Sequence, residues 1–183
     1  MNYVLDRKIL QCVEAHDGAM DADIIVSEAF EETSFIIRIK DLFSGSVDLS
    51  VLVTTDTTLS FLPLLIYQEE KELLLIGLQN RALFIDTRRK IVLQDVNFSF
   101  ILFFIYNVKE NNSFLLVTEC EILSYNGNGE LLHSFCTNDI IIDSVVIDNQ
   151  LHLKTESKSF VINPITWQIT PSNCDACSES TKP

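Results

Sequence analysis

From Phe35 to about Thr170 the chain alternates short runs rich in Val, Ile, Leu, Phe and Thr with clusters of Asp, Asn, Gly, Ser and Lys. Runs of this length between turn formers are the pattern of β-strands. They predict strands over residues 34–40, 47–54, 59–67, 72–78, 82–86, 91–94, 98–107, 113–118, 121–125, 131–135, 140–147, 151–155, 159–162 and 168–170, and so a mainly β protein. The most apolar runs, 59–67 and 98–108, contain Pro63 in the one and Ser99 and Asn107 in the other. Both stop well short of the roughly 18 residues that suggest a membrane span, and they read as buried strands. Residues 3–33 fit two patterns. Leu5, Ile9, Leu10 and Val13 make one face of a short helix ending at Gly18, whereas Asp17-Gly18 makes a hairpin turn between residues 9–15 and 23–30; the hairpin is the preferred reading.

The strands recur as a set. Leu73-Leu74-Leu75-Ile76 leads to Leu83-Phe84-Ile85-Asp86 and then Arg89-Lys90-Ile91; Phe114-Leu115-Leu116-Val117 leads to Ile122-Leu123-Ser124-Tyr125-Asn126 and Gly129-Glu130-Leu131; Leu151-His152-Leu153 leads to Phe160-Val161-Ile162-Asn163 and Trp167-Gln168-Ile169. In each unit an Asp or Asn closes a strand, and the anchors Asp86, Asn126 and Asn163 are 40 and 37 residues apart. A fainter copy at Ile37-Arg38-Ile39-Lys40-Asp41, followed by Gly45-Ser46-Val47, lies one step of 45 earlier. Four strands in a period of about 40 residues is the signature of propeller blades, because a four-stranded meander has two faces to bury and a neighbouring meander covers them.

The predicted architecture is a partial or open β-propeller-like stack of about three four-stranded antiparallel units with an N-terminal hairpin or short helix. A four-bladed ring and an irregular sandwich stand behind it. Residues 98–107 and 140–147, apolar nearly throughout, are expected to be innermost strands covered on both sides. The expected organisation is one domain over 1–171, with repeat units near 34–58, 59–97, 98–138 and 139–171, and a disordered tail over 172–183.

Composition narrows the function. Of 183 residues 47% are hydrophobic, and 12 are Phe, so a core is well supplied. The 26 acidic against 13 basic side chains give a net charge of −13, which opposes direct contact with nucleic-acid phosphates and favours a basic protein as partner. Charges within Met1–Lys8 leave no apolar stretch for a signal peptide, so a cytoplasmic location is expected. Five cysteines, Cys12, Cys120, Cys136, Cys174 and Cys177, are odd in number and irregularly spaced, which argues against a disulfide framework. Cys174-Asp175-Ala176-Cys177 has no second ligand pair beside it, and tetrahedral zinc needs four ligands, so no metal or cofactor is expected.

No catalytic pattern emerges. The sole GxG, Gly127-Asn128-Gly129, is followed by Glu130-Leu131-Leu132 and reads as a turn. His16, His133 and His152 are scattered, and no HExxH or nucleophile elbow accompanies them. Carboxylate pairs such as Glu31-Glu32, Glu69-Glu70 and Glu119 with Glu121 are expected by chance among 26 acids, although two acids converging in a pocket would serve glycoside hydrolysis. The expectation is a protein without enzymatic activity. In the repeat register, one edge gathers the connections carrying Asp56, Asp95, Glu119, Glu121, Asp139 and Glu156, with Arg81 and Lys158 the basic exceptions. That edge is the candidate recognition surface for a cationic partner.

Size, acidity and the repeated units ending Ile85-Asp86, Tyr125-Asn126 and Ile162-Asn163 resemble the small, acidic, β-rich immunity proteins that accompany bacterial toxins, including those of contact-dependent growth inhibition systems. The resemblance covers residues 34–170 and carries no diagnostic motif. It implies a monomeric antitoxin that forms a 1:1 complex with a basic toxin domain of nuclease type and covers its active-site cleft. A propeller-like interaction scaffold without a toxin partner is the alternative.

Overall fold

The computed structural model describes residues 1–5, 7–15, 21–26, 32–56 and 62–172, with backbone alone at residues 32, 33, 55 and 56. The Asp17-Gly18 turn, His16, Glu31 and the Cys174/Cys177 pair lie outside the described residues. Among those described, the chain forms strands β1 (Asn2–Val4), β2 (Lys8–Ala15), β3 (Ile24–Val26), β4 (Glu32–Asp41), β5 (Val47–Asp56), β6 (Leu64–Gln68), β7 (Leu73–Leu78), β8 (Arg81–Asp86), β9 (Ile91–Asn97), β10 (Leu102–Val108), β11 (Ser113–Thr118), β12 (Glu121–Asn126), β13 (Leu131–Cys136), β14 (Ile141–Ile147), β15 (Gln150–Thr155), β16 (Ser159–Asn163) and β17 (Gln168–Ser172). One 3₁₀ turn, Glu69–Lys71, follows β6. No helix among these residues is long and apolar enough to cross a membrane.

The strands assemble into one five-stranded sheet, β1-β2-β4-β5-β3, and three four-stranded meanders, β6-β7-β8-β9, β10-β11-β12-β13 and β14-β15-β16-β17. All pairs are antiparallel except β3 with β5. Sequence-adjacent strands pair because their connections are short and rich in residues that tolerate left-handed backbone. Asp148 (φ 49°) and Asn149 (φ 60°) between β14 and β15 form a two-residue turn of this kind. The repeat is thus a four-stranded, propeller-like meander.

The chain divides into two compact units, Met1–Phe98 and Ser99–Pro183. In the first, the five-stranded sheet packs on the β6–β9 meander. Leu10, Ile37, Ile39, Leu49, Val51 and Val53 face Leu74, Ile76, Leu83 and Ile85, in one core cluster of buried side chains. In the second, Val108, Leu115, Val117 and Ile122 of the β10–β13 meander pack on Ile141, Leu151, Leu153 and Ile162 of the β14–β17 meander. The Tyr106 hydroxyl binds the two sheets of this unit by donating to the Ser144 carbonyl (2.8 Å). Alternation along β15 and β16 turns His152, Lys154 and Ser159 away from this core. Their counterparts 37 residues earlier, Leu115, Val117 and Ile122, point into it.

The anchors share one job. The Oδ1 atoms of Asp41, Asp86, Asn126 and Asn163 each accept backbone N–H groups two to four residues on: from Phe43 and Ser44, from Arg89, from Asn128 and Glu130, and from Ile165 and Thr166. Each closes an Asx-type turn between two strands, which only a short side chain with an oxygen in that position can do. The fainter first copy therefore carries the same device as the other three.

Two expectations need correction. The N-terminal segment does contain a hairpin, but its strands are β1 and β2. β2 also pairs with β4, while β3 runs parallel to β5 rather than returning along β2. Ile24 joins the core cluster from that position, so burial of β3 beside β5 outweighs the local Asp-Gly turn signal. Strands β10 and β14 are not the most covered of their sheets: each lies at a sheet edge with a single lateral neighbour, and Ile142, Val145, Val146 and Ile147 are exposed. The continuously buried strands are the second of the first two meanders, β7 and β11, each paired on both sides, whereas β15 alternates between buried and exposed.

Candidate partner-binding edge

Three turns of the second unit converge on one edge: Thr118–Glu121 between β11 and β12, Cys136–Ile141 between β13 and β14, and Thr155–Lys158 between β15 and β16. Backbone hydrogen bonds bind them. The Thr137 N–H donates to the Cys120 carbonyl (2.9 Å), Ile141 N–H to that of Glu119 (2.6 Å), and Glu156 N–H to that of Ile140 (3.2 Å).

A buried threonine closes the first and last of these turns. Thr118 Oγ1 accepts the Glu121 N–H (3.0 Å) and donates to the Glu121 carbonyl (3.2 Å). Thr155 Oγ1 does the same for Lys158 (3.0 Å each). The two are one repeat apart, 37 residues. The Thr137 hydroxyl sits between the carbonyls of Cys120 and Asp139 and shares its proton between them.

The predicted acidic residues divide into two kinds. Glu119, Glu121, Asp139 and Glu156 are brought to this edge. Asp139 is consumed by the architecture: Oδ2 accepts the Ser157 hydroxyl (2.6 Å) and N–H (2.9 Å), while Oδ1 accepts the Ile140 N–H (3.0 Å). The Ser157 hydroxyl, with help from these amides, holds its carboxyl below the usual range. Among the described residues the carboxylates of Glu119, Glu121 and Glu156 have no hydrogen-bonded or ionic partner.

In the first unit Asp95 is also spoken for. It receives Arg81 in a bidentate pair, Nε to Oδ1 at 2.7 Å and Nη2 to Oδ2. The same corner is stitched by the Phe98 N–H donating to the Asn80 carbonyl (2.7 Å). Arg81, read from sequence as a basic exception on an acidic edge, therefore neutralises the acid predicted beside it. Asp56 ends β5, and its side chain lies outside the description.

The sequence reading passed over Cys120. Burial pushes its thiol up, and the neighbouring charges of Glu119, Glu121 and Asp139, with Cys136, push it in the same direction. The residue is thus kept as a neutral thiol in the middle of the acidic turns, and its surroundings are the opposite of those that make a nucleophilic cysteine. A Cys among alternating Glu residues was the available signal. His133 lies elsewhere in this unit, stacked on Trp167 with ring centroids 4.9 Å apart. The described residues contain no group of three or more His, Cys, Asp or Glu placed to hold a metal ion. The edge offers fixed negative charge.

No family model matches the chain, and no curated protein matches it. Solved structures resemble it in fold. NirN, a dihydro-heme d1 dehydrogenase solved with DHE, superposes with a TM-score of 0.57 at 13% identity, over 79% of this chain and 35% of its own. BamB from Moraxella catarrhalis gives 0.56 at 8% identity, over 92% of this chain and 59% of its own. Sqt1 from Saccharomyces cerevisiae gives 0.52 at 14% identity, over 75% and 44%. The chain therefore spans 35% to 59% of the length of these structures. At such identities the likeness is one of fold, mainly β and propeller-like, and a fold of this kind does not specify an activity.

Proposed function

We propose that the chain is a propeller-like protein-binding module that receives a cationic protein on the turn edge of its second unit, with Glu119, Glu121 and Glu156 as the carboxylates that meet it. One observation carries this reading. The turns use Asp139 to satisfy their own backbone, while these three carboxylates have no partner among the described residues. Lys158 is the sole basic side chain in the three turns. Fixed charge of one sign raises the rate of encounter with the opposite sign and suppresses wrong partners. The narrower form of the proposal is an immunity protein whose partner is a basic nuclease toxin, held 1:1 in the cytoplasm with the toxin's phosphate-binding groove covered. It rests on the sequence resemblance.

The test is affinity purification of the tagged chain from its native cells at low and moderate salt, then titration of the recovered partner against wild type and the triple variant E119Q/E121Q/E156Q. A cation about 6 Å from each carboxylate contributes roughly 0.3 kcal/mol in water after screening at 0.15 M salt. Loss of all three then weakens binding by about 1 kcal/mol, roughly fivefold, mostly in the association rate. An acidic or neutral partner, or unchanged affinity of the triple variant, overturns the proposal. A partner that does not arrest growth when expressed alone removes the immunity form and leaves the wider one.

A further inference from the structure

The corner of the first unit where β1, β2, β4 and β5 meet has the opposite character to the acidic edge. Pairing places Val4, Ile9, Lys40 and Val47 in one row across the four strands. Their chain neighbours Leu10 and Ile39 point into the core, so the row faces away from it. Val4 is 71% exposed and Val47 46%. Beside the row, the β4–β5 turn raises Leu42 and Phe43, and Phe43, at 82%, is the most exposed large hydrophobic side chain among the described residues.

The turn holds the backbone beneath this ring in place with its own polar groups. Asp41 Oδ1 accepts the N–H of Phe43 (3.1 Å) and both the N–H (2.8 Å) and the hydroxyl (3.0 Å) of Ser44. The Asp41 N–H donates to the Ser46 carbonyl, Gly45 supplies the left-handed backbone at φ 69°, and the Leu42 N–H donates to the Arg7 carbonyl, tying the turn to the β1–β2 connection. An Asx turn accepts most residues at its second position, so the fold does not require an aromatic ring there.

Charge at this corner departs from that of the chain. Residues 3–9 and 38–48 hold four basic and three acidic side chains, against a net charge of −13 overall. Asp41 is spent on the turn, and Asp48 binds Lys8 at 2.6 Å. Arg7 and Lys40 have no counter-ion among the described residues.

We propose that this corner is a second docking surface, built for a protein with an apolar pocket rimmed by carboxylates: Phe43 enters the pocket, and Arg7 and Lys40 meet the rim. An aromatic residue whose backbone is already fixed has only its two side-chain torsions to lose on binding, and a ring of this kind is a common interface anchor. A bilayer is the poorer occupant. The net negative charge opposes an anionic membrane surface, and one ring with one leucine is a weak lipid anchor. This proposal does not depend on the acidic edge.

The test is an NMR titration of the full chain with three probes: carboxymethyl-β-cyclodextrin, which has an apolar cavity and a carboxylate rim, neutral β-cyclodextrin, and phosphatidylcholine vesicles. The expected result is shifts centred on Leu42, Phe43 and Val4, with several-fold tighter binding to the carboxylate-rimmed host. F43S abolishes these shifts, and K40E brings the two hosts to equal affinity. Shifts centred elsewhere, or no preference between the hosts in wild type, overturn the proposal. Vesicles that move the Phe43 resonances where the carboxylate host does not overturn it in favour of a lipid surface.

Discussion

Replacing Thr155 by Val tests whether the buried hydroxyl closes the acidic turn. Valine keeps the shape of the side chain and removes the Oγ1 that accepts the Lys158 N–H and donates to its carbonyl, both at 3.0 Å. The carbonyl keeps a second donor, the Thr155 N–H at 2.8 Å, but the Lys158 N–H is left facing a methyl group. An orphaned, partly buried donor costs about 1–3 kcal/mol. The gained apolar burial at a site only 2% exposed returns up to about 0.8 kcal/mol, so the net loss is about 1–2 kcal/mol. For a unit of this size each kcal/mol corresponds to roughly 4–8 °C in melting temperature. Trp167 is the sole tryptophan and packs on the core of the same unit, so its fluorescence reports the right transition. Thr166→Val, in an exposed turn where the backbone alone is used, is the control. Hydrogen exchange at Lys158 should accelerate in T155V, while the Ser157 amide, held by Asp139, should stay protected. A T155V melting curve indistinguishable from that of T166V would refute the latch.

Other consequences of the geometry can be measured separately. Asn126→Ala removes the acceptor for the Asn128 and Glu130 amides, and Asn163→Ala the one for Ile165 and Thr166; each should cost about 1 kcal/mol and speed exchange at those amides alone. Asp23, whose carboxyl is held below its usual range by Lys90 and the Ser50 amide, contributes stability that is present above about pH 4 and lost as pH falls through its lowered value. Asp23→Asn should therefore be less stable than wild type at pH 7, with the gap narrowing as pH falls below about 4 in urea titrations; a gap that widens on acidification would contradict the linkage. Gly45→Ala meets nothing within 4 Å but must adopt φ 69°, so it should destabilise by about 1 kcal/mol through backbone strain, seen as a lower urea midpoint with unchanged slope.

The strand pattern was readable because turn chemistry and side-chain period are local. All fourteen predicted strands from residue 34 onward correspond to β4–β17, and the repeat anchors were visible because an Asx turn needs a particular residue at a particular place. Lateral position in a sheet was not readable: Phe98–Asn107 and Ile140–Ile147 are as apolar as fully covered strands, yet they supply β10 and β14 at sheet edges. The N-terminal segment failed for a related reason, since the parallel pairing of β3 with β5 is a contact between residues about 27 apart that no local signal announces. At the candidate edge the sequence located the acids in the turns but did not separate Asp95 and Asp139, which bind Arg81 and Ser157, from the three glutamates without a partner among the described residues. That distinction lies in hydrogen bonds between turns, and charge counting does not contain it.

The face of the β14–β17 meander that carries His152, Lys154 and Ser159 differs in wettability from the matching face one repeat earlier. A repeat protein whose units all present the same oily surface invites further copies to add on, one after another, as fibres do. Here the positions that in the preceding meander hold Leu115, Val117 and Ile122 have been made wettable, so the periodicity that builds the core is punctuated at its outer face. Three changed side chains thus give this face polar groups where its predecessor is apolar, beside the exposed Val145 and Ile147 that share it.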